Sequence, residues 1–432
     1  MNRRLTLLLA AVICHIIVGS PLQAFQVRSS FSQRTADSLV TVGMRLYTEG
    51  KYEHAISALS SADTDSVSAQ TLFYLGMSYA AVNDYQSAHI ILRRAVHADS
   101  LNPSYRFQFA KFLTQFGSTE EAQQQYERII RTDTTFIPAY FQLGVLINAQ
   151  RNDPRREEVI FRHIVRNQPR DFLSYHFLGD ALIRLGSSDE GRAMIATSIS
   201  LNPNHVTAIT QLAGIYYLKN NLDEALRLYT KASSLRPSDP TILFNVGECL
   251  RKLRMDSAAV SFYRRAFFLD TSNARYAAQL GYAYFLRKEY DSSAVMYRRA
   301  IRLDDENPQF WLNLALVYQR MDSAQQTIDA FHGAVQASKP EKIGDIYAQL
   351  GTFYYRNDKF KEALNSYNKA LTFDPTHTLA HFYLGAIYDR QSNTQNALRH
   401  FENYLNFTQG DTTLSQSREV VRKRVDQLRK KH

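Results

Sequence analysis

The chain has 432 residues, of which 45% are hydrophobic and 21% charged. That composition excludes a disordered polymer, and the length suits two or three domains. A formal net charge of +10 suits an anionic partner but speaks to association and solubility, not to fold.

In chain order, the first expected element is an export signal. Arg3 and Arg4 precede an apolar run from Leu5 to Val18 whose one ionisable residue is His15, and Ala24 offers a small residue before Phe25. This pattern predicts a secretory signal peptide over 1–24, its apolar run short for a bilayer span, and a linker over 25–36. Retention as an N-terminal anchor is the alternative, since Leu22 stands where a smaller residue is usual. Cys14 does not suit lipid attachment, because bulky Val12 and Ile13 precede it. The expected location is the periplasm of a bacterial cell envelope. Removal of the signal leaves Cys249 alone, so no internal disulfide forms and the fold must hold by packing. Cys249 itself, within an apolar pattern, reads as a small core residue.

From residue 37 the chain repeats itself. Asn220–Pro237 and Asn357–Pro375 share one skeleton of Glu-Ala-Leu, Tyr, Lys-Ala and Pro. A Gly or Ala after an apolar residue marks each unit, at Gly43, Gly76, Ala110, Gly144, Gly179, Ala213, Gly247, Gly281, Ala315, Gly351 and Gly385. The period is about 34 residues, that of a helix–turn–helix solenoid. Twelve positions past the marker an Ala recurs, as at Ala88, Ala225 and Ala363; sixteen past, an aromatic, as at Tyr229, Tyr263, Tyr297 and Tyr367. Apolar spacings of three and four predict helices. The small residues let the two helices of a unit approach, and the aromatic is expected to fill the gap to the next unit. Seven past their markers, Gly50, Asn83, Gly117, Gly186 and Asn220 are expected to end the first helix in a left-handed conformation. Pro169, Pro203, Pro237 and Pro375 close units where a helix must stop.

This pattern resembles the tetratricopeptide-repeat (TPR) family over residues 37–408. The resemblance implies an all-α fold, a right-handed superhelical TPR solenoid of about eleven helix-turn-helix repeats. Departures are local. The fourth unit carries Pro154 and has Glu157, beside Arg156, where Ala belongs; Gly191, Ser293 and Thr327 replace the same Ala elsewhere. Those units are expected to pack less tightly or to bend the superhelix. Extra length falls near Ala337–Gly344. Residues 411–432 predict a basic capping helix over the last open core face, with Leu414, Val420, Val421, Val425 and Leu428 on its stripe. Its Arg422, Lys423, Arg424, Arg429, Lys430 and Lys431 either meet an anionic lipid or polymer or form a solvated polar face.

Eleven units and a cap leave no room for a catalytic domain, so the chain does not read as an enzyme. It holds no Gly-rich phosphate loop and no His-Glu-x-x-His motif. His377 and His381 have the spacing of a helical metal pair, but their segment supplies no acidic partner and His381 falls on the core-facing stripe. No cofactor and no metal are expected.

The TPR resemblance implies that the first helix of each unit lines a concave groove. Two positions before the marker stand Gln108, Gln142, Gln211, Asn245, Gln279, Asn313 and Gln349. A carboxamide both donates and accepts. Stacked amides can pair with the backbone of an extended polypeptide with little regard to its sequence, similar to the amide ladder of peptide O-GlcNAc transferases. A merely wettable wall is the bland alternative. One position earlier, Phe107, Phe141 and Phe244 are candidate exposed anchors or ordinary packing residues. Five past the marker, Arg184, Lys252, Arg320, Arg356 and Arg390 form a basic stripe for an acidic partner, or cations favoured at helix C-termini by the dipole. The Lys-and-Asn carboxylate clamp of chaperone-binding TPRs is not evident, since Lys111 stands alone.

The expected function is a non-catalytic protein–protein interaction scaffold of the cell envelope that binds an extended polypeptide segment in its groove. The alternative is an accessory module for polysaccharide binding or export, with aromatics stacking on sugars and the basic stripe facing an acidic polysaccharide. Nucleic acid is not an expected partner, given the export signal. Peripheral membrane contact through the basic cap stays open, as does the oligomeric state.

Overall fold

The structure is a computed structural model describing residues 37–62 and 67–430. The expected signal, its linker and Lys431 lie outside the described residues. Within them every regular element is helical, and no helix is long and apolar enough to cross a membrane.

Eleven helix pairs follow one another, each joined by a three-residue turn. The first five are α1 (37–48) with α2 (Tyr52–Ser61), α3 (Ala69–Ala81) with α4 (Tyr85–Ala98), α5 (Pro103–Gln115) with α6 (Thr119–Thr132), α7 (Ile137–Gln150) with α8 (Pro154–Asn167), and α9 (Phe172–Arg184) with α10 (Ser188–Leu201). Next come α11 (Val206–Leu218) with α12 (Leu222–Leu235), α13 (Pro240–Lys252) with α14 (Asp256–Leu269), and α15 (Ala274–Leu286) with α16 (Tyr290–Leu303). Then follow α17 (Pro308–Arg320) with α18 (Ala324–Gln336), α19 (Pro340–Arg356) with α20 (Phe360–Phe373), and α21 (Thr378–Arg390) with α22 (Thr394–Phe407). A last helix, α23 (Ser415–Arg429), follows a short 3-10 turn at Thr412–Leu414. The chain forms two compact units, one ending at Ala208 and one beginning at Ile209.

The turn inside each pair is one device repeated. The residue seven past the marker is left-handed in all eleven pairs. Gly and Asn announce this at five of them. At Arg151, Arg254, Lys288, Asp322, Asp358 and Ser392 an ordinary side chain is forced to φ between 51 and 62°. At all of these but Arg151, what forces it is the helix stop: the next amide bonds back five residues, as Met255 N–H does to the Leu250 carbonyl at 2.9 Å, satisfying a carbonyl the helix end leaves free.

Close approach within a pair explains the marker. A Cβ on Gly247 would lie 2.8 Å from the Tyr263 ring, and one on Gly385 2.6 Å from the Phe401 ring. The aromatic sixteen past the marker therefore presses first on the glycine of its own pair. It reaches the next pair as well: Tyr367 stacks on Tyr383 with centroids 5.4 Å apart.

Ser293, Thr327 and Glu157 are buried where Ala recurs in other units, and Glu157 Oε1 is left without a hydrogen bond. Ser293 is buried and its Oγ donates to the Gly281 carbonyl at 2.7 Å. Thr327 Oγ1 donates to the Ser323 carbonyl at 3.0 Å. A Cβ on Gly191 would meet the Gly179 carbonyl oxygen at 2.7 Å, so those two backbones approach closely. Glu157 is 0% exposed and accepts from Asn148 Nδ2 at 2.8 Å and from Arg184. The extra length after Ala337 goes into α19, which has 17 residues where α17 has 13.

α23 buries Val421, Val425 and Leu428 against Ala397, Phe401 and Tyr404 of α22, as a cap would. Val420 does not share that stripe. It is 64% exposed, because one residue turns it about 100° from the line through 421, 425 and 428. Leu414 belongs to the 3-10 turn and is half-buried. Cys249 is fully buried, which pushes its thiol pKa up to about 11.

Candidate functional site

Positions two before, one past and five past the marker are spaced by three and by four, so on each first helix they share a face. The amide positions and the basic positions are therefore one surface. Gln108 and Gln142 lie in the unit ending at Ala208. Gln211, Asn245, Gln279, Asn313 and Gln349 lie in the unit from Ile209, one on each of the five successive first helices α11, α13, α15, α17 and α19. Six of these amides are half-buried and Gln349 is exposed. The Asn313 carboxamide is already engaged, by Gln309 Nε2 at 2.9 Å and by the buried Tyr297 phenol. The side chains of Gln108, Gln142, Asn245, Gln279 and Gln349 form no hydrogen bond to another described residue.

The aromatic positions are not exposed anchors. Phe244 is 3% exposed, wedged against Tyr263 and Tyr276 with the Arg275 guanidinium 4.8 Å from its ring centroid. Phe107 packs on Tyr126 and Phe136, and Phe141 on Phe161 and Phe177, both half-buried. The reason is rotational: one residue before the amide, the side chain turns about 100° toward the neighbouring pair. Phe141 keeps an edge at the surface, where with Gln142, Ile137, Asp171 and Leu173 it lines a cleft of about 320 Å³.

The basic stripe is broken up by internal partners. Arg184 binds Asp180 at 3.0 Å and the buried Glu157. Lys252 Nζ lies 4.0 Å over the Tyr217 ring, and the Arg390 guanidinium 4.4 Å over Phe360. Arg320 and Arg356 are exposed and outside any ion pair among the described residues. On the cap, Arg424 is bidentate to Asp389 at 2.6 and 2.7 Å, Arg429 binds Glu402 at 2.6 Å and Lys423 binds Glu419 at 2.7 Å. Arg422 and Lys430 stay exposed.

One group on this face carries no sequence motif. Glu248, one past Gly247, accepts hydrogen bonds from Tyr263 Oη at 2.5 Å, Arg251 at 3.0 Å and Tyr217 Oη at 3.1 Å. Burial opposes its charge, yet the Arg251 and Tyr263 bonds together hold its carboxyl below the ordinary range. The Tyr263 phenol is pushed far up by burial and by Glu248. A Glu and an Arg three apart on that first helix were the sequence signal for it. The histidines do not converge: His377 pairs with Asp345 at 3.3 Å, and His381 turns to His400. Among the described residues no group of three His, Cys, Asp or Glu could hold a metal ion.

A family model described as TPR repeat matches residues 213–253, 281–322 and 344–392, and one described as tetratricopeptide repeat matches 173–205. The matched segments are tetratricopeptide repeats, and the fold of the described residues is an all-α TPR solenoid. It is similar to BBSome complex member BBS4 of Bos taurus, 20% identical over 83% of this chain and 64% of that protein. It is also similar to anaphase-promoting complex subunit CDC16 of Saccharomyces cerevisiae, 20% identical over 60% of this chain and 31% of that protein. The chain thus spans less than two thirds of the length of these curated relatives. Among solved structures, yeast Tom70 matches at 15% identity and TM-score 0.39 over 93% of this chain and 96% of that one. YrrB, titled a TPR protein with an unusual peptide-binding site, matches at 16% identity and TM-score 0.39 over 41% of this chain and 92% of that one.

Proposed function

We propose that this chain is a non-catalytic interaction scaffold whose second unit binds an extended polypeptide segment along its first-helix face. The observation that carries this is the amide series at Gln211, Asn245, Gln279, Asn313 and Gln349. One carboxamide stands at the same register on five successive first helices, and Asn245, Gln279 and Gln349 spend nothing on the chain itself. Each bond to a peptide backbone nets about 0.5–1.5 kcal/mol, so affinity comes from several together. Gln108 and Gln142 offer a smaller set in the first unit. The relatives named as members of the BBSome and anaphase-promoting complexes support a role in protein assemblies. A likeness to protein O-mannosyl-transferase TMTC1 of Homo sapiens covers 21% of that protein, which is too little to bring transferase chemistry to this chain.

The polysaccharide alternative has less support, since Phe244 is buried, Phe107 and Phe141 are half-buried against neighbouring rings, and Arg184, Lys252 and Arg390 of the basic stripe have internal partners. Arg3, Arg4 and the apolar run after them support placing the scaffold in the cell envelope, which a reporter fused after residue 36 tests by its activity outside the cytoplasm. The binding test is selection from a displayed library of short random peptides. Backbone recognition predicts bound peptides without a shared side-chain motif, each weakened by N-methylation of its amides. Retention of acidic glycans and no peptide restores the alternative.

A further inference from the structure

In the second unit, α16, α17 and α18 line a cavity of about 580 Å³. It lies between two second helices, α16 and α18, over the first helix α17, none of the amide positions lines it, and it owes its shape to two departures from the repeat. The chain's one tryptophan, Trp311, forms its floor with Leu314 and Tyr318, spaced by three and four on α17. The indole is seated by Gly333 of α18, where a Cβ would lie 2.4 Å from a ring carbon. Eighteen past the marker, where Gly333 stands, neighbouring units carry Arg265, Arg299 and Lys369. Trp311 Nε1 donates to the Asp305 carbonyl at 3.2 Å, so what the indole offers the cavity is ring surface.

The rim is charged on one side. Arg298 and Arg302, four apart on α16, share a face, and both are exposed and outside any ion pair among the described residues. Asp329 on the facing helix is held by Gln325 Nε2 at 2.9 Å. An apolar floor beneath two uncommitted guanidinium groups is complementary to a molecule joining an apolar body to an anion. Asp329 across the cavity opposes a doubly charged phosphate and leaves a carboxylate favoured. The volume falls within the roughly 300–1,000 Å³ of small-molecule sites. We infer that this cavity binds a small amphipathic carboxylate, its apolar chain on Trp311 and Leu314 and its carboxylate between Arg298 and Arg302.

Trp311 is a built-in reporter. Decanoate is titrated into the full chain while its tryptophan emission is followed, with calorimetry as a second readout; decanol is the neutral match and acetate the charge without the chain. The expected result is saturable decanoate binding at least tenfold tighter than decanol, about 1.4 kcal/mol, with no response to acetate. The R298Q/R302Q double variant, checked for unchanged helical signal and melting temperature, is expected to bind decanoate no better than decanol. Equal binding of decanoate and decanol by the wild-type chain, unchanged decanoate binding by the double variant, or no binding by either readout up to about 1 mM overturns the assignment.

Discussion

Tyr263 Oη donates to the Glu248 carboxylate at 2.5 Å, closing a pair of helices over a charge that Arg251 and Tyr217 also hold. Tyr263 presses its ring on Gly247, so the same side chain fills the repeat's aromatic slot and satisfies a buried anion. Tyr263→Phe keeps the ring and removes the donor. We expect it to destabilise the second unit by about 1.5–3 kcal/mol, the worth of a hydrogen bond to a charged group. The sign with pH follows from the lowered Glu248 pKa: its stabilisation is present above the carboxyl's unfolded value and is lost as pH falls through the folded one. The variant should therefore lose less than wild type on acidification, read as urea midpoints at several pH values.

Arg184 and Glu157 make a second such unit, and here the repeat itself offers the control. Arg184→Ala leaves the buried Glu157 carboxyl without its ion-pair partner, at a cost of about 3–5 kcal/mol. Glu157→Ala together with Arg184→Leu restores the small residue common at that position and should recover most of the loss. Thermal melting of the three chains decides it, and a double variant as unstable as the single would contradict the account.

The left-handed turn residues predict stabilisation from substitutions that touch no partner. Arg254 and Asp358 take φ of 61 and 58°. A non-glycine residue there costs about 1–2 kcal/mol, offset in part by the extra freedom glycine brings to the unfolded chain. Arg254→Gly or Asp358→Gly should gain up to about 1 kcal/mol, and Gly186→Ala should lose a similar amount, measured as shifts in melting temperature.

His400 gives the second unit a pH dependence at its C-terminal end. It is 4% exposed, with His381 Nδ1 3.0 Å from its own Nδ1 and the Tyr388 ring stacked on it. Burial, then His381 and Arg399, pushes its pKa down from 6.5 to about 4, and burial lowers that of His381 as well. His377 and Arg399 oppose a charge on His381 while Asp374 favours one. The unfolded chain therefore binds more protons between pH 4 and 6.5. Stability is full above 6.5 and declines as pH falls toward 4, by on the order of 2–3 kcal/mol from His400. His400→Gln should flatten that decline, with hydrogen exchange of α21 and α22 as the local readout.

Much of the fold was legible, because the close helix approach at the marker is met by Gly or Ala in all eleven units, and that demand recurs with the period. The left-handed turn was legible at Gly50 or Asn220 and hidden at Arg254 or Ser392, where the helix stop imposes φ on whatever residue is there. The face of the candidate site was legible as the amide register. Its partnerships were not: Arg184 meets Glu157 across 27 residues, and Glu248 gathers Tyr217 from the preceding pair. Phe244 could be read either as anchor or as packing residue, because exposure on a helix depends on the neighbour that the next repeat supplies, which one unit's sequence does not show.

The most direct test takes one selected peptide and compares its dissociation constant for the wild-type chain with that for the chain carrying Ala at Gln211, Asn245, Gln279, Asn313 and Gln349. At about 0.5–1.5 kcal/mol per bond, loss of the series should weaken binding by roughly a hundredfold or more. Equal affinity, with both chains folded, would contradict the claim that the amides hold the peptide.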